Sequence, residues 1–263
     1  MVSGNLSKMS ALLEDKVHYF LQLSDKVDMN ALIGSKISLV WNGEIHCCSC
    51  GKKTKNSFGQ GFCYNCFMNA PESSECILRP ELCRAHLGEG RDPEWEEKHH
   101  NQPHVVYLAA SSAVKVGITR SQQVPTRWID QGATAAIRLA ETANRYEAGQ
   151  IEVALKEFFT DKTNWQKMLK NDVDESIDLI EEKWALEEHL PNDILELFSE
   201  NDEIIELNYP VLQYPEKIVS RSFDKTAVIE GILQGIKGQY LIFEGGEVVN
   251  IRKHTSYNID LSF

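Results

Sequence analysis

The run HVVYLAASSAVKVGITR, residues 104–120, decides how this chain is read, together with VPTRWIDQGA (124–133) and IEVALKEFFTDKTNW (151–165). Two short apolar runs, 105–109 and 114–118, read as strands joined by the small-residue turn at Ser111-Ser112. Pro125 suits the first turn of a short helix and Gly132 its end. A third strand fits 136–139. Beyond it, Ile151, Ala154, Leu155, Phe158 and Phe159 recur at i, i+3, i+4, i+7 and i+8, the apolar stripe of a helix that packs on the strands. The pattern is a small β-β-α-β-α unit. Tyr107, Gly117, Thr119, Arg127 and Glu152 fall at its ends and edges. Each also has a plain reading: a strand tyrosine packing its ring, a surface arginine, a glutamate paired with Lys156 one helical turn on.

Working outward, the 263 residues suffice for one large domain or two to three small ones. With 25% charged and 42% hydrophobic residues the balance is that of a globular protein. No apolar run reaches the length of a membrane span, and the first residues lack a signal peptide's apolar core, so a cytoplasmic protein is expected. The net charge of −12 is unevenly spread: residues 171–216 hold fifteen acidic residues against one basic, leaving +2 for the remainder. Residues 105–170 carry nine basic against six acidic, so a polyanionic partner is not excluded for the central unit.

All seven cysteines lie between Cys47 and Cys83, which in a chain of this length points to metal rather than disulfides. Cys47-x2-Cys50 and Cys63-x2-Cys66, twelve residues apart, can aim four thiolates at one tetrahedral, structural zinc. Cys48 is left over. Lys52, Lys53, Phe58, Phe62 and Tyr64 offer a basic-aromatic surface to nucleic acid, or simply cover the knuckle. A second cluster, Cys76, Cys83, His86, His99, His100 and His104, follows. From it Cys83, His86, His100 and His104 are the candidate ligands of a second zinc; the alternative is a polar loop with an incidental histidine pair.

Strands are also expected at both chain ends. Asn42-Gly43 reads as a two-residue hairpin turn that leads to Cys47. Neither end is large enough for its own core, so the two are expected to share one β-module. The expected organisation is α+β: a β segment at 1–46, a zinc-binding region at 47–103, the central unit at 104–170, an acidic helical segment at 171–206, and a β segment at 207–263 that pairs with 1–46. The acidic helices read as a solvated face, with mimicry of nucleic acid or docking to a basic protein as the alternative.

The order Tyr107, then the strand KVGIT, then Arg127, then Glu152 resembles the GIY-YIG nuclease superfamily, most of all its phage-type branch. Val116 stands where the second signature tyrosine would be, and Gln131 where many members have histidine. The resemblance implies Tyr107, Arg127 and Glu152 as catalytic residues, with Glu152 holding a magnesium or manganese ion. Lys115, Gly117, Thr119 and Arg120 are the accompanying substrate contacts. Nearly the whole chain, with HCCSCGKKTKNSFGQGFCYNCF and TRWIDQGA, is similar to an uncharacterised bacterial domain-of-unknown-function family (2797). That likeness implies a further cysteine near Gly90. The functions expected are a metal-dependent endonuclease acting on DNA or RNA, a non-catalytic nucleic-acid-binding module, or an interaction protein working through its acidic helices.

Overall fold

The computed structural model describes residues 1–156, 158–159, 164–186 and 190–263. They form two compact units, the first from residues 1–69, 129–132 and 208–263, the second from 70–128 and 133–207. The stretch 47–103 is thus divided, with its first C-x2-C pairs in one unit and the Cys76–His100 cluster in the other.

In the first unit the two chain ends lie in one eight-stranded sheet. Strand Val2–Asn5 pairs antiparallel with the last strand, Tyr257–Ser262, which pairs with the long strand Lys36–His46. Beyond it come Val228–Lys237, Tyr240–Phe243, Glu247–Asn250 and, in a parallel pairing, Val219–Arg221, while the short strand Lys53–Thr54 also pairs with Lys36–His46. Ile37, Leu39, Ile229, Leu241, Val249, Ile259 and Leu261 are all buried, alternating with more exposed neighbours in the long strand. Such alternation gives a sheet one core face. A small three-stranded sheet, Ser10–Leu12, His18–Gln22 and Lys26–Asp28, completes the strands of this unit.

Asn42-Gly43 does not turn the chain. The strand runs straight through it, because residues on both sides pair with the same partner strand: Trp41 opposes Ile259 and Ile45 opposes Tyr257. The three residues between them face one, a bulge held by Trp41 Nε1 donating to Glu44 O (2.9 Å) and Glu44 N donating to Asn42 Oδ1 (3.0 Å). Gly43 takes the left-handed φ of +89° that the bulge needs.

The second unit is built on a four-stranded antiparallel sheet. Strand His104–Ala110 is central, flanked by Val114–Arg120 on one side and Ala135–Thr142 on the other, with Ile204–Glu206 added outside the latter. The short helix Thr126–Asp130 and the helix Arg145–Leu155 follow the second and third strands, so the element order is β-β-α-β-α. Val106, Leu108, Ile137 and Leu139 form a buried core with Ala148, Ile151 and Leu155 of the longer helix. That helix is started by Asn144, whose side chain accepts from Glu147 N (3.0 Å), while Glu147 reaches back to Ala143 N (2.9 Å). It ends at Leu155, before the expected stripe does: Phe159 is buried in the core, but Phe158 is 43% exposed.

The acidic segment is packed rather than free. Helices Trp165–Lys170, Leu179–Ala185 and Asn192–Leu195 belong to this unit, and Leu179, Leu186 and Leu190 join its core. Lys183, the one basic residue of residues 171–216, is fully buried, its ammonium donating to Ser199 O (2.5 Å), Asn201 O (3.1 Å) and Asp202 Oδ1 (2.8 Å). No described helix is long and apolar enough to cross a membrane.

Candidate functional site

The long strand of the first unit delivers Cys47 to a compact knuckle. Cys47 is buried, and Gly51 N returns to Cys47 O (2.9 Å) in the tight turn that brings Cys50 beside it. Phe58 and Phe62 exchange two backbone hydrogen bonds of 2.9 Å, which sets Cys63 and Cys66 opposite the first pair. The sulfurs of Cys47, Cys50, Cys63 and Cys66 all lie within 4.8 Å of one another, with Cys50 and Cys63 3.9 Å apart. Burial acts to raise the Cys47 thiol, but the backbone N–H groups of Cys50, Cys63 and Ser49 aimed at its sulfur draw it down to about 6. Donors that favour a thiolate favour a thiolate-bound metal. This set is compatible with a structural zinc, and four protein ligands leave no open position for chemistry.

Phe62 is buried, Phe58 partly buried and Tyr64 62% exposed. Phe58 packs against Tyr64 and Phe67, and a side chain at Gly59 would strike the Phe67 ring at 2.7 Å. Lys53 is paired with Glu44 at 2.6 Å.

In the second unit Tyr107 and Gly117 are direct cross-strand partners. A Cβ at Gly117 would lie 2.7 Å from the Tyr107 hydroxyl, so the phenol fills the space beside the glycine. Tyr107 is 0% exposed and meets the Trp128 ring edge-on at 5.7 Å. Thr119 is buried too. Lys115, Gly117 and Thr119 share the Tyr107 face of their strand, whereas Arg120, opposite His104, projects from the other. The four substrate-contact candidates therefore do not form one surface. Arg127 and Glu152 are each partly exposed. Arg145 is largely buried, and burial lowers its guanidinium from the ordinary value.

A second cluster sits beside that arginine, with a membership the sequence reading missed in part. Cys76, Cys83, Glu96 and His100 present ligand atoms within 4.8 Å of one another. Cys83 and His100 were expected there; His86 and His104 are elsewhere. The turn Ala85–Leu87 directs the His86 ring onto Tyr146, stacked at 4.6 Å. His104 begins the central strand, where its Nδ1 bonds Gln102 O (2.7 Å) and its buried Nε2 has no hydrogen-bond partner among the described residues. Burial, followed by the positive charges of Arg145, His100 and Arg120, pushes His104 down to about 4 against the opposing Gln102 bond. Cys76 and Glu96 replace these two histidines. The signal in the sequence was Glu96 four residues before His100, which puts both on one face of helix Pro93–His99 and its cap.

No curated protein and no solved structure matches the chain. A family model does match, over residues 34–259, a span that takes in the knuckle, the second cluster and the central sheet; the chain belongs to the family described as protein of unknown function (DUF2797).

Proposed function

We propose that this is a zinc-containing nucleic-acid-processing protein whose second unit carries a GIY-YIG-like, divalent-metal-dependent endonuclease centre. The observation that supports the reading is positional. The β-β-α-β-α order has its first strand central, Tyr107 beside Gly117, Arg127 on the intervening helix and Glu152 on the next. In this reading the Glu152 carboxylate takes a magnesium or manganese ion and Arg127 offers its planar fork to the phosphate. Among the described residues Glu152 is not grouped with two further metal-ligating side chains. Glu152 would hold such an ion together with water and the substrate's own phosphate, as magnesium commonly is held. When bound it supplies a polarised phosphate and an activated water.

A second reading, a non-catalytic nucleic-acid-binding module, is favoured by one specific observation: Tyr107 is fully buried and its phenol occupies the space over Gly117. The deciding experiment incubates single-stranded, duplex and branched DNA and RNA with magnesium or manganese, beside Glu152→Ala. Metal-dependent nicking lost in Glu152→Ala supports the nuclease. Salt-dependent binding without nicking selects the binding module. Neither nicking nor binding refutes both and leaves the interaction protein.

A further inference from the structure

We infer that Cys76, Cys83, Glu96 and His100 form a second metal centre, closed and structural, that takes zinc. Its ligands come from separate pieces of chain: the turn Glu75–Ile77, the residue following the turn Pro80–Leu82, and the helix Pro93–His99 with its cap. Such segments have no reason to bring two thiols, a carboxylate and an imidazole to one point unless something joins them there. Cys83, Glu96 and His100 are all buried. Glu96 contacts His100 directly, and His100 is its sole ion-pair partner among the described residues. Glu96 makes no ion pair with a lysine or arginine among the described residues, and a divalent cation would offset the cost of taking its carboxylate out of water.

The donor set selects the metal. Two sulfurs argue against magnesium or calcium, and the mixture of sulfur, nitrogen and oxygen suits zinc, which binds all three in a tetrahedron. Four protein ligands complete that tetrahedron, so the centre has no position for a reacting water.

Gly90 supplies an independent observation. A Cβ built there would lie 2.8 Å from Glu96 Cδ and 2.9 Å from Glu96 Oε1, with Glu96 Cγ closer still. A side chain at position 90 would therefore project to where the Glu96 carboxylate now is. The absence of one at Gly90 lets Glu96 reach the cluster, and a thiol at position 90 would take over its place.

The centre has a definite mechanical consequence. Arg145 Nε donates to Cys76 O and its Nη2 to Ile77 O, each at 3.0 Å, and Arg145 N donates to His100 O at 2.9 Å. The metal loops thus grip the first turn of helix Arg145–Leu155, whichever function that helix serves.

The test uses the full chain. Protein purified without added metal should hold two zinc ions per chain. Cys50→Ser with Cys66→Ser should hold one, and cobalt loaded into that protein should show tetrahedral d–d absorption with the charge-transfer band of two thiolates. Glu96→Ala in the same background should release cobalt to a chelator at a concentration roughly tenfold lower or less, a ligand counting for at least as much as its supporting hydrogen bonds. Gly90→Cys with Glu96→Ala should restore retention and strengthen the thiolate band by about half, three sulfurs replacing two. One zinc per wild-type chain, or a Cys83→Ser protein that keeps both, would overturn the centre. If Cys83→Ser does not fold, the cobalt spectrum of the knuckle variant decides alone: no tetrahedral sulfur-ligated band refutes it. Unchanged retention in Glu96→Ala removes Glu96 from the ligand set and overturns the inference as stated.

Discussion

Gly149→Ala separates a helix governed by its own propensity from one fixed by what lies against it. In the middle of a helix the change ordinarily stabilises by about 1 kcal/mol. Here the new Cβ would sit 2.5 Å from the carbonyl carbon of Pro80 and 2.9 Å from Glu81 Cα, with Glu81 N closer still. Carbon atoms in good contact are about 3.5–4.0 Å apart, so helix or loop must retreat by roughly 1 Å. The loop is not free to do so. Cys83 N is bonded to Pro80 O (2.9 Å), Leu82 N to Arg79 O (2.9 Å), and Arg145 holds Cys76 and Ile77 from the same helix. Overpacking at such a site costs about 1–3 kcal/mol, and rearrangement of backbone lies at the upper end. The net expectation is a loss of roughly 1–2 kcal/mol, against the propensity gain. In a protein of this size that is a fall of several degrees in melting temperature, about 2–4 °C for each kcal/mol. Urea unfolding is the assay, with metal retention measured alongside. Val153→Ala, on an exposed face of the same helix, is the control and should be neutral or gain a few tenths of a kcal/mol. If Gly149→Ala gains stability as the control does, and keeps its metal, the helix does not rest on the 80–81 backbone.

Four further outcomes follow from the same geometry. Gly117→Ala should destabilise by about 1–3 kcal/mol in urea unfolding, because its Cβ meets the Tyr107 phenol; Tyr107→Phe should relieve this only in part, since Cζ at 2.8 Å remains, and a neutral Gly117→Ala would mean the phenol is not there. His104 has a folded value depressed to about 4 against about 6.5 unfolded, so the unfolded chain binds the extra proton and stability falls as pH drops; unfolding at pH 7.5 and 5.5 should differ by roughly 1 kcal/mol more in wild type than in His104→Gln. Lys183→Met removes the ammonium from Ser199 O, Asn201 O and the Asp202 carboxylate, which keeps only Trp184 Nε1, and should cost about 2–3 kcal/mol; an unchanged urea midpoint would refute the buried ammonium. Stripping the knuckle with a chelator should unstructure residues 47–69, read as loss of amide-exchange protection there, and no change in protection would count against a structural zinc.

The strands of the central unit were legible because short β-branched runs bounded by small residues leave few alternatives, and all three appear where the pattern put them. The meeting of the chain ends was legible for a different reason: each end had strands and too little apolar volume to bury alone. Asn42-Gly43 misled because a local turn preference is worth little against a strand partner that pairs on both sides of it. The helix stripe ran too long because Phe158 and Phe159 continue the period past a cap at Lys156 that the period itself does not encode. At the second cluster, Cys83-x2-His86 looked like a ligand pair, but the left-handed turn at Gly88 closes a loop that gives the His86 ring to Tyr146. Lys183 was invisible because one lysine among fifteen acidic residues reads as surface; only the fold shows three oxygens gathered around it.

The helix Arg145–Leu155 is where these strands of argument meet. At eleven residues it is too short to be stable alone in water, so its position comes from its surroundings. Three things fix it: the Asn144–Glu147 cap, the core face Ala148–Ile151–Leu155, and the grip of the Cys76–His100 loops on Arg145 and Gly149. Glu152 lies one turn beyond Gly149 on this helix, and each residue of helical slip rotates it by about 100°. Whatever Glu152 does therefore depends on the Cys76–His100 loops more than on the knuckle. Cys83→Ser should diminish any Glu152-dependent nicking or binding, whereas Cys50→Ser with Cys66→Ser should leave that activity in place per folded second unit. Equal losses from both sets of substitutions would show that the helix is not positioned by the loops beside it.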